Sequence, residues 1–235
     1  MSSTRNPALS RLTSRDRLIV EHVVRDRIST NEVIQQRFFD AAHPTSVTRV
    51  TARLCSLGWL ASFPLIYPTR YFVPGKLSAS AYGLPASRTL PLGPQSLPTD
   101  YAVLKYTSAN DPQVQRLTYE EIDRVATWYQ PEWMFHPHCM RHHESGGILE
   151  LVRVDLGGPA DHIARKCRDD IRLRNDMAEF QEFVKRGRFA LVILTGSTAK
   201  AAMIQAALDH QPWMQGIVFR LSVFVSLIPL LPRSL

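Results

Sequence analysis

The sequence predicts an α+β to α/β chain in two parts. The first is a cluster of three short helices closed by a β-hairpin, and the second is a mixed sheet covered by helices. Three observations carry this. Apolar residues recur at helical spacing three times before Gly58 and then give way to two strand-like runs. Prolines and glycines interrupt the chain between Val73 and Asp100. Beyond that break, strand-like and helix-like segments alternate.

In the first part, Thr13 or Ser14 can cap a helix that shows Leu18, Ile19, His22 and Val23 on one face. Ser29 or Thr30 can cap a second helix carrying Val33, Ile34, Phe38 and Phe39. Thr45 or Ser46 can cap a third, with Val47, Val50, Leu54 and Leu57 at helical spacing and Gly58 as its terminator. Trp59 to Phe63 and Arg70 to Val73 then read as two strands joined by a loop with proline. This is the element order of a winged helix-turn-helix, expected over residues 1–76. Residues 77–100, with Pro85, Pro91, Pro94 and Pro98, are expected to be a linker without regular structure.

The second part, 101–235, opens with a strand-like run from Tyr101 to Tyr106. Thr118 and Glu121 form a capping-box pattern before a helix reaching about Trp128. Trp133 to Met140 and Ile148 to Leu156 read as a strand pair joined by the polar turn HHESGG. Residues 160–186 are expected to be helical with a break near Arg174 to Asp176. Phe189 to Leu194 suits a buried central strand. Ser197 can cap a helix running to Asp209, and Ile217 to Val225 is the last strand. The apolar stretch Gly216 to Leu231 contains Arg220 and Pro229 and is too short for a spanning helix, so it is expected to be buried strand and tail.

The chain has 235 residues, enough for one medium domain or two small ones, and 45% of them are hydrophobic, which excludes disorder throughout. Cys55, Cys139 and Cys167 lie far apart, so no disulfide framework is expected, and a reducing, cytoplasmic setting follows. The first residues show no apolar leader. The formal charge is +7, and all of the excess lies in residues 1–90, which hold 12 Lys or Arg against 5 Asp or Glu. Such asymmetry points to a polyanion partner for the N-terminal part.

The third helix sharpens that expectation. Thr45, Ser46, Thr48, Arg49 and Arg53 on its polar side are small or basic, and none is acidic. A helix that enters a major groove needs donors for phosphates and base edges and no carboxylates. Arg49 and Arg53 are four apart and share a face, and Arg70 falls near the wing. The competing reading is a solvated helix in a winged helix that contacts only protein.

Taken with its basic first part, the chain carries a proline-rich break, then Arg153-Val-Asp155-Leu-Gly157, then a Lys/Arg-bearing helix, then FALVILTGSTAKAAMIQAAL. From about Leu12 to Phe224 this pattern resembles the replication-relaxation family of plasmids and mobile elements. The resemblance implies a winged helix followed by a domain similar to the PD-(D/E)xK (restriction-endonuclease-like) nuclease fold. It also implies a role in plasmid replication or DNA relaxation. The partners expected from it are double-stranded DNA, then a replication or mobilisation protein and a second copy of the chain, with no membrane.

A nuclease of that fold needs carboxylates around Mg²⁺ and a lysine near the attacking water. The family's Pro-Asp position is Pro137-His138 here, and its acidic pair falls on Arg153 and Asp155. Glu150 is five residues before Asp155, and an odd separation in a strand puts two side chains on opposite faces. The domain is therefore expected to be degenerate and to need no cofactor. If it is catalytic, Asp155 binds the metal, supported by Glu150 and Lys166. His136, His138, Cys139 and His142 offer a weaker zinc alternative whose spacing matches no standard site. Thr195 to Lys200 lacks the order of a phosphate loop and reads as a strand followed by a capped helix. Arg165, Lys166, Arg168, Arg172 and Arg174 alternate with aspartates, as on a salt-bridged exposed helix.

Overall fold

The computed structural model describes residues 12–39, 43–109, 113–133, 135–144 and 146–231. The expected leader-free start (1–11), Ser145 of the expected polar turn and the last four residues lie outside the described residues. The chain divides into two compact units, Met1–Gly93 and Pro94–Leu235.

The N-terminal unit holds α1 (Ser14–Asp26), β1 (Ser29–Thr30), α2 (Asn31–Phe38), α3 (Pro44–Ser56), β2 (Leu60–Ile66), β3 (Thr69–Pro74) and α4 (Lys76–Ala81). Thr13 caps α1 in a full capping box with Asp16, and Thr30 caps α2. The cap of α3 is His43 instead of the expected Thr45 or Ser46. Its Nδ1 accepts the Thr45 N–H, and Pro44 takes the first helical position, where its missing N–H costs nothing. The sheet is antiparallel with order β1-β3-β2. Ile19, Val23, Ile34, Leu54, Trp59 and Phe72 form the heart of the core. Leu18 and Leu57, expected on the apolar faces, are exposed instead, while Val20 and Thr51 take inward positions.

Two glycines hold the exit of α3 against the hairpin. Gly58 has φ +78°, the left-handed terminator that the sequence pattern expects. A Cβ on Gly75 would lie 2.2 Å from the Gly58 carbonyl oxygen, so only glycine lets these strands approach. The Gly75 N–H donates to the Trp59 carbonyl at 2.8 Å.

The expected linker is not structureless. It contains α4, a 3-10 turn at Ala86–Thr89 and the start of α5 (Ser96–Ser108). Pro98 sits in the first turn of α5, where a missing N–H breaks no helical hydrogen bond. Tyr101 to Tyr106 is likewise helix and not strand. Five of these six residues are apolar, Lys105 being the exception, and such a run suits either state, while α5 is buried on nearly every side.

The C-terminal unit continues with β4 (Val114–Arg116), α6 (Tyr119–Val125), β5 (His138–Arg141), β6 (Ile148–Val154), α7 (Ala160–Arg172), α8 (Ala178–Lys185), β7 (Phe189–Thr195), α9 (Thr198–Asp209) and β8 (Val218–Val223). Its sheet runs β4-β5-β6-β7-β8. The β4/β5 and β5/β6 pairs are antiparallel, and β6/β7 and β7/β8 are parallel. Leu149, Leu151, Phe189, Leu191 and Ile193 face α6 to α9 in one core, and α5 packs against β4, β6 and β7. The structure is therefore mixed α+β, with one mixed five-stranded and one antiparallel sheet. Ser197 caps α9, and the Thr118–Glu121 capping box opens α6, as the sequence pattern expects.

Trp133 lies in a 3-10 turn (Pro131–Trp133), not in a strand, and β5 starts only at His138. The C-terminal stretch expected to be buried is half-exposed along β8, with Val225 and Ile228 open. No helix among the described residues is long and apolar enough to cross a membrane.

Candidate nucleic-acid interface

On α3 the inward residues are Val47, Thr51 and Leu54. Thr51 is held by Asn31 at 3.0 Å and by the Val47 carbonyl at 3.1 Å, so it serves the core side of the helix. The outward residues are Thr45, Thr48, Arg49, Ala52 and Arg53, with Ser46 half-buried at the edge. No acidic residue lies on α3. Thr45 hydrogen-bonds His43 at 2.9 Å, and Thr48 donates to the Pro44 carbonyl at 3.4 Å. Arg49 makes no hydrogen bond or ion pair among the described residues and is exposed.

Arg53 behaves differently from Arg49. It reaches across to α1 and pairs with Asp16 at 2.7 Å, while its side chain stays 47% exposed. Burial pushes the Asp16 carboxyl up, but hydrogen bonds from Arg53 and Thr13 prevail and hold it below its ordinary value. Asp16 therefore ties α3 to α1 and is shielded from solvent. It takes one arginine partly out of service while the face itself stays cationic. In the hairpin, Arg70 donates to the Ser62 hydroxyl at 2.7 Å and the Ser62 carbonyl at 2.8 Å. This lays the guanidinium along the strands. Tyr67, in the turn between them, is 98% exposed.

The expected catalytic residues are not brought together. Glu150 is fully buried on the α5 side of β6. It accepts from Tyr106 at 2.8 Å, Arg141 at 2.8 Å and Arg220 at 2.7 Å. Asp155 lies past the end of β6, where it accepts from the Thr195 hydroxyl and the Gly157 N–H, both at 3.1 Å. Lys166 is exposed on α7. The zinc alternative is also scattered. His138 and Cys139 are buried, and as consecutive strand residues they face opposite sides of the sheet, while His142 is exposed. Among the described residues no group of three His, Cys, Asp or Glu is placed to hold a metal.

A polar cluster that the sequence reading does not assemble lies between β6 and α7. Arg153 grips Asp170 with two prongs, at 2.5 and 2.7 Å, and donates to His136 Nδ1 at 3.2 Å. Arg174, expected on an exposed helix, is buried between the rings of Tyr129 and Trp133. It donates to the Tyr129 oxygen and to the Asp170 carbonyl, each at 2.6 Å. The same Tyr129 oxygen shares a short hydrogen bond with His138 Nε2. Burial holds His138 down to about 3 and His136 down to about 4, with neighbouring arginines adding to both. Burial also pushes the Tyr129 hydroxyl up to about 12. The alternation of Arg and Asp on α7 is visible in sequence, but its pairing with Arg153 is not.

No protein-family model, curated protein or solved structure matches the chain.

Proposed function

We infer that the chain binds duplex DNA through α3, with the β2–β3 hairpin beside it as a wing. In this reading it is a DNA-binding accessory or regulatory protein of a plasmid or mobile element, acting in replication or DNA relaxation. The reading is supported chiefly by the outward face of α3. There Arg49 has no acidic partner among the described residues and stands beside two threonine hydroxyls, on a helix with no carboxylate of its own. Such a face offers donors to phosphates and base edges and places no carboxylate against a polyanion. Arg70 and the exposed Tyr67 add a cationic, aromatic hairpin, and the charge excess of the first 90 residues favours the same unit. The family assignment rests on the sequence resemblance alone.

The C-terminal unit is taken as a nuclease-like scaffold without a working metal site. That is favoured by the arginines on Glu150 and by the hydrogen bonds that occupy both Asp155 oxygens. A gel-shift on DNA from the native locus tests the main reading. Binding is expected at low salt, falling steeply as salt rises, and Arg49→Ala is expected to weaken it and flatten the salt slope. Absence of binding at low salt overturns it. Plasmid nicking with Mg²⁺ that is lost in Asp155→Ala would overturn the scaffold reading.

A further inference from the structure

The two edges of the five-stranded sheet differ. At one edge β4 is three residues long, and α5 packs against it. At the other edge β8 runs for six residues, Val218–Val223, in unbroken parallel register with β7. Among the described residues no strand pairs with its outer side. Open N–H and C=O groups recruit another strand, so free edges are normally blunted by a lysine, a proline, a bulge or short length. β8 has none of these. Its one charged side chain, Arg220, is turned onto Glu150 at 2.7 Å and does not guard the edge.

The backbone directions define what fits there. The Phe224 N–H donates to the Thr195 carbonyl at 2.8 Å, toward β7. Alternate residues of a strand aim their backbone groups to opposite sides. Arg220 and Ser222 therefore also bond β7, while Phe219, Leu221 and Val223 aim theirs outward. The side chains alternate as well. Phe219 and Leu221 pack on the core shared with α6 to α9, and Arg220 reaches Glu150 on the α5 side.

A second β8 laid antiparallel about Leu221 matches this edge. Each outward N–H then faces an outward C=O of the other copy. Leu221 meets Leu221 and Phe219 meets Val223 on the core side, while Arg220 meets Ser222 on the α5 side. Apolar groups thus oppose apolar groups, and no like charges face each other. An axis at Arg220 would instead set two guanidiniums opposite one another, which is destabilising. Val218 at the start of β8 and Val225 just past its end are exposed and extend the apolar margin of the edge.

We propose that two copies of the chain join through β8, antiparallel about a two-fold axis at Leu221, into one continuous sheet. Closed two-fold symmetry is the commonest among identical chains. The proposal is independent of the reading of α3. Sedimentation equilibrium of the full chain over a concentration series, without DNA, tests it. A reversible monomer–dimer equilibrium is expected. Ser222→Asp sets a carboxylate opposite Arg220 of the other copy and is expected to tighten the dimer about fivefold. Ser222→Lys is expected to loosen it about fivefold, the size of a symmetric set of cross-strand charge pairs. Val223→Pro removes one outward N–H per copy and spares the bonds to β7, and it is expected to weaken the dimer about thirtyfold.

Opposite responses to the two charges at position 222 separate strand pairing from mere loss of folding. A chain that stays monomeric over the whole series overturns the proposal and leaves the edge to a strand of another protein. Equal dimer affinities in wild type, Ser222→Asp and Ser222→Lys overturn it as well.

Discussion

The two units handle charge in opposite ways. The N-terminal unit carries the whole formal excess of the chain and presents Arg49 and Arg70 on its surface. The C-terminal unit is formally neutral, yet it buries charge in pairs and triads. Arg116 meets Asp100 at 2.7 Å, Arg141 and Arg220 meet Glu150, and Arg153 and Arg174 meet Asp170. Net charge alone would make the second unit look electrostatically unremarkable. The difference shows that equal numbers of acids and bases can hide strong local fields once folding selects which of them leave water.

The largest expected effect comes from removing the acid of the buried arginine cluster. Asp170→Ala strands two arginines of which one is fully buried, and a loss of about 3–5 kcal/mol in urea unfolding is expected. A loss below about 1 kcal/mol would mean that the cluster is solvated and the contrast false.

Acid titration probes the buried histidines of the same unit, with an effect that grows with each pH unit. His136 and His138 stay neutral in the folded chain down to about 4 and about 3, whereas the unfolded chain protonates them near 6.5. Below pH 6.5 the unfolded state binds more protons, so stability falls as pH falls. The slope approaches about 1.4 kcal/mol per pH unit for each ring, until the folded values are reached. His138→Asn is expected to halve that slope in pH-dependent denaturation.

The smallest effect on stability belongs to the other unit. Arg49→Ala removes an exposed side chain without a partner among the described residues, and a change within about 0.5 kcal/mol is expected from thermal melting. A larger loss would place Arg49 in the fold and not at an interface.

Local signals were readable wherever the physics is local. Thr118 with Glu121, Ser197 and Gly58 each satisfy or terminate a helix end through atoms within a few residues, so their positions could be named from sequence. His43 was missed as a cap because histidine is an uncommon one, and the three-residue β4 is too short to show alternation. The open face of α3 was legible because helical period and residue type suffice to define it. That Arg53 is bound to Asp16, 37 residues earlier in the chain, was not. Alternation along a strand does not govern Glu150 and Asp155 as a pair, because Asp155 lies past the end of β6, and the partners that occupy them come from distant positions.

Residue order along the chain was enough to place the caps of α1, α2, α6 and α9, the N-terminal charge excess, the acid-free face of α3 and the central strand at Phe189, because these depend on near neighbours. Only the tertiary structure decided that Tyr101 to Tyr106 is helical, that Arg174 is buried between aromatic rings and that Asp170 is shared by two arginines. Those outcomes depend on which surfaces exclude water together, and that is a property of the packed chain.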